Sequence, residues 1–275
     1  MRKALASETH ILHLKRIWLY AHGILSLFFL VFPSVVVVLL SFSDSSILSF
    51  PPQDWGIRWY RSYFSSPEWL DATTVSLSAA GLTALIATPI GTAAAFSIHG
   101  SRSLFAQGIR LTLMAPMVVP AILVAIGVFF VFARTGLNNT LSGLVLAHVM
   151  LAIPFVFITV DAGLDTFDFN QERVARSLGA SPFMAFITVT FPQIRSSIIS
   201  AGLFAVVTSL DEVIIALFVS GGENSTVPRR MFTALKTELD PTIAAISSLM
   251  ILVSIILLTC WLMFGRQAAQ RAEGT

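Results

Sequence analysis

The chain has 275 residues, of which 55% are hydrophobic and only 12% are charged, and its mean hydropathy is +0.81. An ordinary soluble domain carries about 25% charged residues, so this composition predicts an integral membrane protein. A net charge of +2 is too small to indicate nucleic-acid binding, and the basic residues fall between apolar runs instead of forming one patch. A single cysteine, Cys260, excludes a disulfide framework and a Cys-x-x-Cys metal site.

A long apolar run, residues 17–42, follows a basic leader that contains Arg2, Lys3, Lys15 and Arg16. A cleaved signal peptide has a core of roughly 7 to 15 apolar residues, whereas this run is long enough to cross about 30 Å of hydrocarbon. The pattern therefore predicts an N-terminal tail over residues 1–16 and an uncleaved first membrane span.

Five further apolar segments predict membrane spans over residues 72–98, 109–132, 141–162, 198–220 and 243–264. We therefore expect an all-α fold, with six transmembrane helices over residues 17–265 and a C-terminal tail over residues 266–275. Several spans contain proline, which membrane helices tolerate because neighbouring groups satisfy the freed carbonyls. Glycines and alanines cluster between Gly81 and Ala95, which indicates close helix packing more than a ligand site.

Lysines and arginines predict the orientation in the membrane, because cytoplasmic loops are enriched in both. Six spans place both termini on one side, and that side holds most of the 17 basic residues. We therefore expect both termini and the loop of residues 163–197 in the cytoplasm, and the loops of residues 43–71 and 221–240 outside. The basic residues on the cytoplasmic side are Arg2, Lys3, Lys15, Arg16, Arg102, Arg110, Arg173, Arg176, Arg195, Arg266 and Arg271.

The predicted cytoplasmic loop has the pattern of two short helices that meet at a bend. Residues 166–178 suit a helix, Gly179 supplies a left-handed stop, and Ser181 followed by Pro182 is typical of the start of a second helix. Val174 and Leu178 are four residues apart and share one helix face. Such a helix can enter a groove in a partner protein or rest on membrane lipid, and the residues alone leave both alternatives open.

The same loop resembles the cytoplasmic signature of bacterial ABC importer permeases, in which Glu-Ala-Ala precedes a glycine and a hydrophobe and Leu-Pro follow it. Alignment on Gly179 places Glu-Ala-Ala on Arg173, Val174 and Ala175, and the later residues on Val189, Phe191 and Pro192. An arginine thus stands where the acidic residue is usual, with Glu172 one position earlier. The resemblance implies a coupling helix that docks on a separate ATPase subunit through Glu172, Arg173, Val174, Ala175, Leu178, Gly179, Ala180 and Ser181.

Nearly the whole chain is similar to the second permease of polyamine importers of the spermidine/putrescine group. The residues that carry this similarity are Ser209, Asp211, Glu212, Phe218, Gly221, Pro228, Met231, Asp240, Pro241, Ala244 and Ala245. It implies the type I ABC importer permease fold, like that of the methionine importer, in a multi-pass protein of the bacterial inner membrane. The implied solute is a small cation such as putrescine or spermidine, with opines, 4-aminobutyrate or iron complexes as alternatives.

Asp211 and Glu212 lie about midway along the predicted fifth span and, on a continuous helix, about 100° apart. An ionised carboxylate at the bilayer centre costs at least about 2.5 to 3.5 kcal/mol, so such residues usually face a cavity, a partner or a pathway. We therefore assign Asp211 and Glu212 to the substrate pathway and favour Asp211 as the one that faces a cationic solute, with a structural hydrogen bond or ion pair as the alternative for either residue. Trp55 in the external loop could line the entry, because ammonium groups favour aromatic faces, or belong to an interfacial belt.

Other polar positions have simpler interpretations. Asp161 and Asp165 close the fourth span, where a solvated helix end is the ordinary role. His148 has no partner at metal-ligand spacing, which predicts a packed, hydrogen-bonded residue and no metal site.

No G-x-x-x-x-G-K-S/T sequence occurs, so we expect neither ATP nor magnesium to bind this chain and no catalytic activity of its own. The resemblance implies that two partner ATPase subunits bind both. It also implies a homologous second permease, as a heterodimer, and a periplasmic substrate-binding protein. Two other classes are a secondary transporter driven by an ion gradient and a membrane scaffold. The docking loop disfavours the first, and the paired carboxylates disfavour the second.

Overall fold

The computed structural model of the chain describes residues 17–47, 49–237 and 240–273. Every named element in these residues is helical, which confirms the all-α class. The predicted tail of residues 1–16 lies outside the described residues. The α-helices are α1 (Ile17–Ser41), α2 (Arg58–Ser65), α3 (Pro67–Ile98), α4 (Leu104–Val118), α5 (Ala121–Thr135), α6 (Leu141–Leu164), α7 (Phe169–Ser177), α8 (Pro182–Ala185), α9 (Phe191–Asp211), α10 (Ile214–Val219), α11 (Val227–Thr237) and α12 (Thr242–Glu273).

Five helical segments within the described residues are long and apolar enough to cross a membrane. They are α1, α3, α6, the first part of α12, and the segment that joins α8 to α9 through a π-helical turn, Phe186–Thr190. The third predicted span, residues 109–132, is wrong as one helix, since α4 and α5 meet at a bend of 104°. The described residues contain six candidate membrane spans when this bent pair is taken as one span.

Pro120 explains the break between α4 and α5. Proline has no backbone N–H, and its ring pushes the preceding residue away from the helical conformation. Val119 accordingly has an extended conformation, with φ −77° and ψ 133°, and α5 begins directly after Pro120.

The fifth predicted span, residues 198–220, is also interrupted, so the expectation that Asp211 and Glu212 lie midway along one helix is wrong. Helix α9 ends at Asp211, Glu212 is extended, and the six-residue α10 follows. A carboxylate oxygen of Glu212 accepts a hydrogen bond from the backbone N–H of Ile215 at 2.6 Å. Glu212 thus supplies an acceptor to the first turn of α10, where the N–H groups have no partner within the helix.

The chain divides into two compact units, of which the smaller comprises Met1–Ser62 and Pro241–Ile251. Within its described residues the Tyr60 hydroxyl lies 2.7 Å from the hydroxyls of both Ser41 and Ser248. The Trp59 indole N–H donates to the Ser45 carbonyl at 3.1 Å. These bonds join the end of α1, the following loop and the start of α12.

The larger unit comprises Tyr63–Asp240 and Leu252–Thr275, and its core forms where α3, α6 and α9 pack together. Three alanines spaced along α3, Ala79, Ala87 and Ala95, are fully buried. A Cβ atom added at Gly91 would lie 2.5 Å from Cγ1 of Val156, so glycine is what lets α3 approach α6. This confirms the packing role at Ala87 and Gly91, whereas Gly81 has no neighbour within 4 Å.

Polar contacts mark the two ends of α3. Glu68, near its start, contacts residues of α11, while His99, just after its end, contacts the end of α6. The loop of residues 165–181 and the segment of residues 221–237 therefore lie at opposite ends of α3, as the predicted topology requires.

Candidate functional site

Helix α7 is delimited by side-chain and backbone signals that the sequence supplies. It starts after Asp168, whose side chain accepts a hydrogen bond from the backbone N–H of Asn170 at 3.0 Å. This cap begins the helix three residues later than predicted. Glu172 lies in its first turn and Arg176 in its last, the order that the helix dipole favours.

Gly179 ends α7 in the predicted left-handed conformation, with φ +96°. The N–H of Gly179 donates to the carbonyl of Arg176, and that of Ala180 to the carbonyl of Ala175, each at 3.1 Å. This pair of bonds is the Schellman arrangement, which satisfies the last carbonyls of a helix. Ser181 then caps α8 by accepting from the N–H of Met184 at 3.3 Å, so the predicted bend is confirmed.

The exposed residues of α7 form an apolar stripe and a basic stripe on different sides of the helix. Val174 is 58% exposed and Leu178 is 83% exposed. Arg173 and Arg176, three residues apart, are also exposed but lie on a different side of the helix. Three further residues of the predicted coupling set, Gly179, Ala180 and Ser181, form the bend that follows, and a fourth, Ala175, is half-buried within α7.

Glu172 lies on the side of α7 opposite Val174 and is only 7% exposed. One of its carboxylate oxygens, Oε2, accepts a hydrogen bond from the hydroxyl of Thr190 at 2.9 Å, and Thr190 is fully buried at the end of the π-helical turn. A second side-chain bond runs from Nε2 of Gln193 to Oε1 of Gln171 at 2.7 Å. These two bonds fasten α7 to the start of the segment that leads into α9.

A charged cluster lies between α7 and the ends of α3 and α6. Nδ1 of His99 is 2.8 Å from a carboxylate oxygen of Asp161, and Arg110 approaches the other oxygen at 3.4 Å. The His99 ring also stacks on Phe169 at the start of α7, with ring centres 5.3 Å apart. Asp161 is therefore bound by two side chains from neighbouring helices, and the prediction of a simple solvated helix end is wrong for it.

Beside this cluster a surface cleft of about 430 Å³ opens along the basic stripe of α7. Its lining comprises His99, Gly100, Phe169, Glu172, Arg173 and Arg176. The cleft thus places two guanidinium groups and an imidazole around one opening, and its single carboxylate already accepts a bond from Thr190.

The two carboxylates at the break in the fifth span have different surroundings. Glu212 is half-buried and caps α10, whereas Asp211 is exposed at the last position of α9. Among the described residues, Asp211 has no hydrogen-bond or ion-pair partner. Two residues before it, the hydroxyl of Ser209 lies 2.6 Å from Nδ1 of His148. His148 is 1% exposed, which confirms the prediction of a packed, hydrogen-bonded histidine.

At the opposite end of the larger unit, α11 is tied to α3. Arg230 forms an ion pair with Glu68 and lies over the ring of Trp69 at 5.0 Å. The hydroxyl of Ser76 accepts from the N–H of Val227 at 2.9 Å. Partial burial lowers the pKa of the neighbouring Arg229. Residues 221–237, which were predicted as part of an external loop, thus contain helix α11, and this helix is bonded to α3.

Trp55 and two other tryptophans of the predicted external loop, Trp59 and Trp69, differ in exposure. Trp55 is exposed, whereas Trp59 and Trp69 are buried. The exposure of Trp55 is compatible both with lining the solute entry and with belonging to an interfacial aromatic belt. Burial of Trp69 under Arg230 removes that residue from a lipid-facing belt.

Comparison with known proteins adds a family and a fold to this geometry. The sequence profile of a family described as binding-protein-dependent transport system inner membrane component matches residues 87–272. The putrescine transport system permease protein PotI of Escherichia coli strain K12 is 28% identical over 262 residues, which cover 92% of this chain and 93% of that protein. The spermidine/putrescine transport system permease protein PotC of Haemophilus influenzae is 29% identical over 230 residues, covering 83% and 89%.

Solved structures of a bacterial alginate ABC transporter contain a chain with the same fold. One superposes with a TM-score of 0.69 at 14% identity and covers 93% of this chain and 96% of that one. A second, in complex with an alginate pentasaccharide-bound periplasmic protein, gives a TM-score of 0.68 at 14% identity, with coverage of 94% and 96%. The predicted ABC importer permease fold is thereby confirmed.

Proposed function

The chain belongs to the family of inner membrane components of binding-protein-dependent transport systems, and from this premise we propose that it is one permease subunit of an ATP-driven importer for a small cationic solute. A polyamine such as putrescine or spermidine is the proposed solute. The observation that carries the proposal is the similarity to a putrescine permease over 92% of the chain.

The proposed assembly contains a homologous second permease, two ATPase subunits and a periplasmic substrate-binding protein. ATP and magnesium bind to the ATPase subunits, so this chain is a non-catalytic membrane subunit. Both of its termini and α7 face the cytoplasm in this arrangement, and residues 221–237 face outward. Two observations support this arrangement. Basic residues are in excess on the proposed cytoplasmic side, and residues 165–181 and 221–237 lie at opposite ends of α3.

Helix α7 is the proposed coupling helix, and its apolar stripe of Val174 and Leu178 is the proposed docking surface. Two exposed apolar side chains beside a sharp, capped bend suit a shallow groove in a partner protein. The hydrogen bonds from Thr190 to Glu172 and from Gln193 to Gln171 give the docked helix a direct mechanical connection to the fifth span.

Asp211 is the proposed contact with the cation in the pathway. Its position at the end of α9 adds a helix effect to its own charge, because the last carbonyls of a helix carry a partial negative charge. Transporters place such interrupted helices at sites for ions and charged solutes. Glu212 is excluded from the same role while it caps α10, so its proposed function is structural.

Uptake in the native host tests the proposed solute. A strain that lacks this chain is compared with one in which the chain is restored, using radiolabelled putrescine, spermidine and 4-aminobutyrate in parallel. We expect restoration of energy-dependent putrescine or spermidine uptake and no change for 4-aminobutyrate. Restored uptake of 4-aminobutyrate alone would assign the importer to that solute.

Co-purification tests the proposed assembly. The tagged chain, extracted in mild detergent, should bring down an ATPase and a second related permease, and ATP hydrolysis in nanodiscs should rise with the binding protein and its solute. Isolation of the chain without an ATPase, together with uptake that follows an ion gradient, would instead indicate a secondary transporter.

A further inference from the structure

We infer that the ATPase surface facing α7 is acidic, with carboxylates that enter the cleft beside Arg173 and Arg176. This inference rests on the proposed docking of α7 on an ATPase subunit, and it adds the charge of the partner surface. It makes the basic stripe, and not only the apolar stripe, a determinant of which ATPase this permease accepts.

The charge distribution on α7 is the first argument. Between Asn170 and Leu178 the only acidic residue is Glu172, and its carboxylate is turned into the protein and bonded to Thr190. The exposed side chains of that stretch are basic, uncharged polar or apolar. In the cleft a partner therefore meets two guanidinium groups and one carboxylate, that of Glu172, which is 7% exposed and already accepts a hydrogen bond from Thr190.

The shape of the surface is the second argument. The cleft of about 430 Å³ lies along the basic stripe, with His99 and the backbone turn at Gly100 on its other side. Guanidinium groups present a planar fork of N–H donors that matches a carboxylate. A glutamate or aspartate side chain can therefore approach Arg173 and Arg176 in this cleft, whereas His99 already contacts Asp161 and Asp165.

A protein partner fits this surface better than anionic lipid does. The apolar anchors of α7, Val174 and Leu178, lie on a different side of the helix from Arg173 and Arg176, so one flat membrane surface does not contact both pairs at once. Glu172 also fixes the rotation of α7 by its bond to Thr190, so the helix cannot turn freely to suit a membrane surface.

The binding test uses the chain in nanodiscs and the ATPase subunit that is isolated together with the wild-type chain. The double variant Arg173→Glu/Arg176→Glu is compared with Leu178→Ser and with Arg195→Glu, which makes the same charge change at an exposed position on α9. We expect the double variant to weaken binding about tenfold or more, because like charges at an interface repel. Leu178→Ser should weaken binding as well, and Arg195→Glu should leave it unchanged.

Salt dependence supplies an independent measurement. Wild-type binding should weaken as the salt concentration rises from 50 mM to 500 mM, which shortens the screening length, and Leu178→Ser should keep this dependence. The double variant should lose it.

Each outcome separates the inference from the proposed docking. Normal, salt-sensitive binding by the double variant together with weak binding by Leu178→Ser would overturn the acidic surface and leave docking intact. Normal binding by both would overturn docking itself. A loss in the double variant that appears only in nanodiscs with anionic lipid would assign the stripe to the membrane and overturn the inference.

Discussion

Replacing Thr190 with valine should loosen α7 without unfolding the protein. The substitution keeps a branched side chain of similar shape but deletes the hydroxyl that donates to Glu172 at 2.9 Å. Thr190 is fully buried and Glu172 is 7% exposed, so water cannot readily replace the lost donor. A hydrogen bond to a charged group contributes about 1.5 to 3 kcal/mol. Since about 1.4 kcal/mol corresponds to a factor of ten, the equilibrium constant for detachment of α7 should rise about 10-fold to 150-fold.

Hydrogen exchange of the α7 amides in nanodiscs measures this shift. Thr188→Val is the matched control, because the Thr188 hydroxyl is exposed and donates to the Met184 carbonyl within its own helical segment. Exchange in α7 should accelerate about tenfold or more in Thr190→Val and remain at the wild-type rate in Thr188→Val. Glu172→Gln should fall between them, since the amide oxygen still accepts a bond but carries no charge.

Transport measurements then connect the bond to coupling. In the assembled importer, Thr190→Val should hydrolyse more ATP per solute molecule than wild type, because a loosened α7 transmits less of the ATPase movement to the fifth span. Equal α7 exchange in Thr190→Val and Thr188→Val would refute the mechanical role of the bond. Faster exchange with an unchanged ratio of ATP to solute would separate anchoring from coupling and refute the second step only.

Three further predictions concern the packing, the pathway and the bend. Gly91→Ala should destabilise the protein by about 1 to 3 kcal/mol in thermal unfolding because its Cβ meets Val156, whereas Gly81→Ala should not. Asp211→Asn should reduce solute uptake and solute-stimulated ATP hydrolysis about tenfold or more, whereas Asp211→Glu should retain most of both activities. Glu212→Gln should also retain both activities, because its amide oxygen can still accept the bond that caps α10. Gly179→Pro should insert normally but uncouple hydrolysis from uptake, since proline cannot adopt φ +96°.

Much of α7 could be predicted from the sequence, because its signals are local. Asp168, Gly179 and Ser181 each act within a few residues, and the four-residue spacing of Val174 and Leu178 indicates their shared face. The same geometry places Glu172 about 200° from Val174 around the helix, which indicates the buried face. Its partner Thr190 could not be predicted, since nothing local specifies contacts across 18 residues.

The interrupted spans show a second limit of the sequence. Hydropathy counts apolar residues but does not register whether the backbone between them stays helical, so residues 109–132 and 198–220 were each expected as one helix. Pro120 was a readable signal for the first break. The break after Asp211 has no proline or glycine to mark it, and the bond from Glu212 to α10 becomes visible only in three dimensions.

The fifth span links the two candidate sites through one continuous element. Thr190, where α7 is fastened, directly precedes α9, and Asp211 is the last residue of that helix. The 21 residues of α9 extend over about 30 Å at 1.5 Å per residue. A displacement of α7 therefore reaches Asp211 through a stiff helix, and no chain of side-chain rearrangements is required. The π-helical turn lies before this helix, so flexibility introduced there would weaken coupling while leaving the surroundings of Asp211 unchanged.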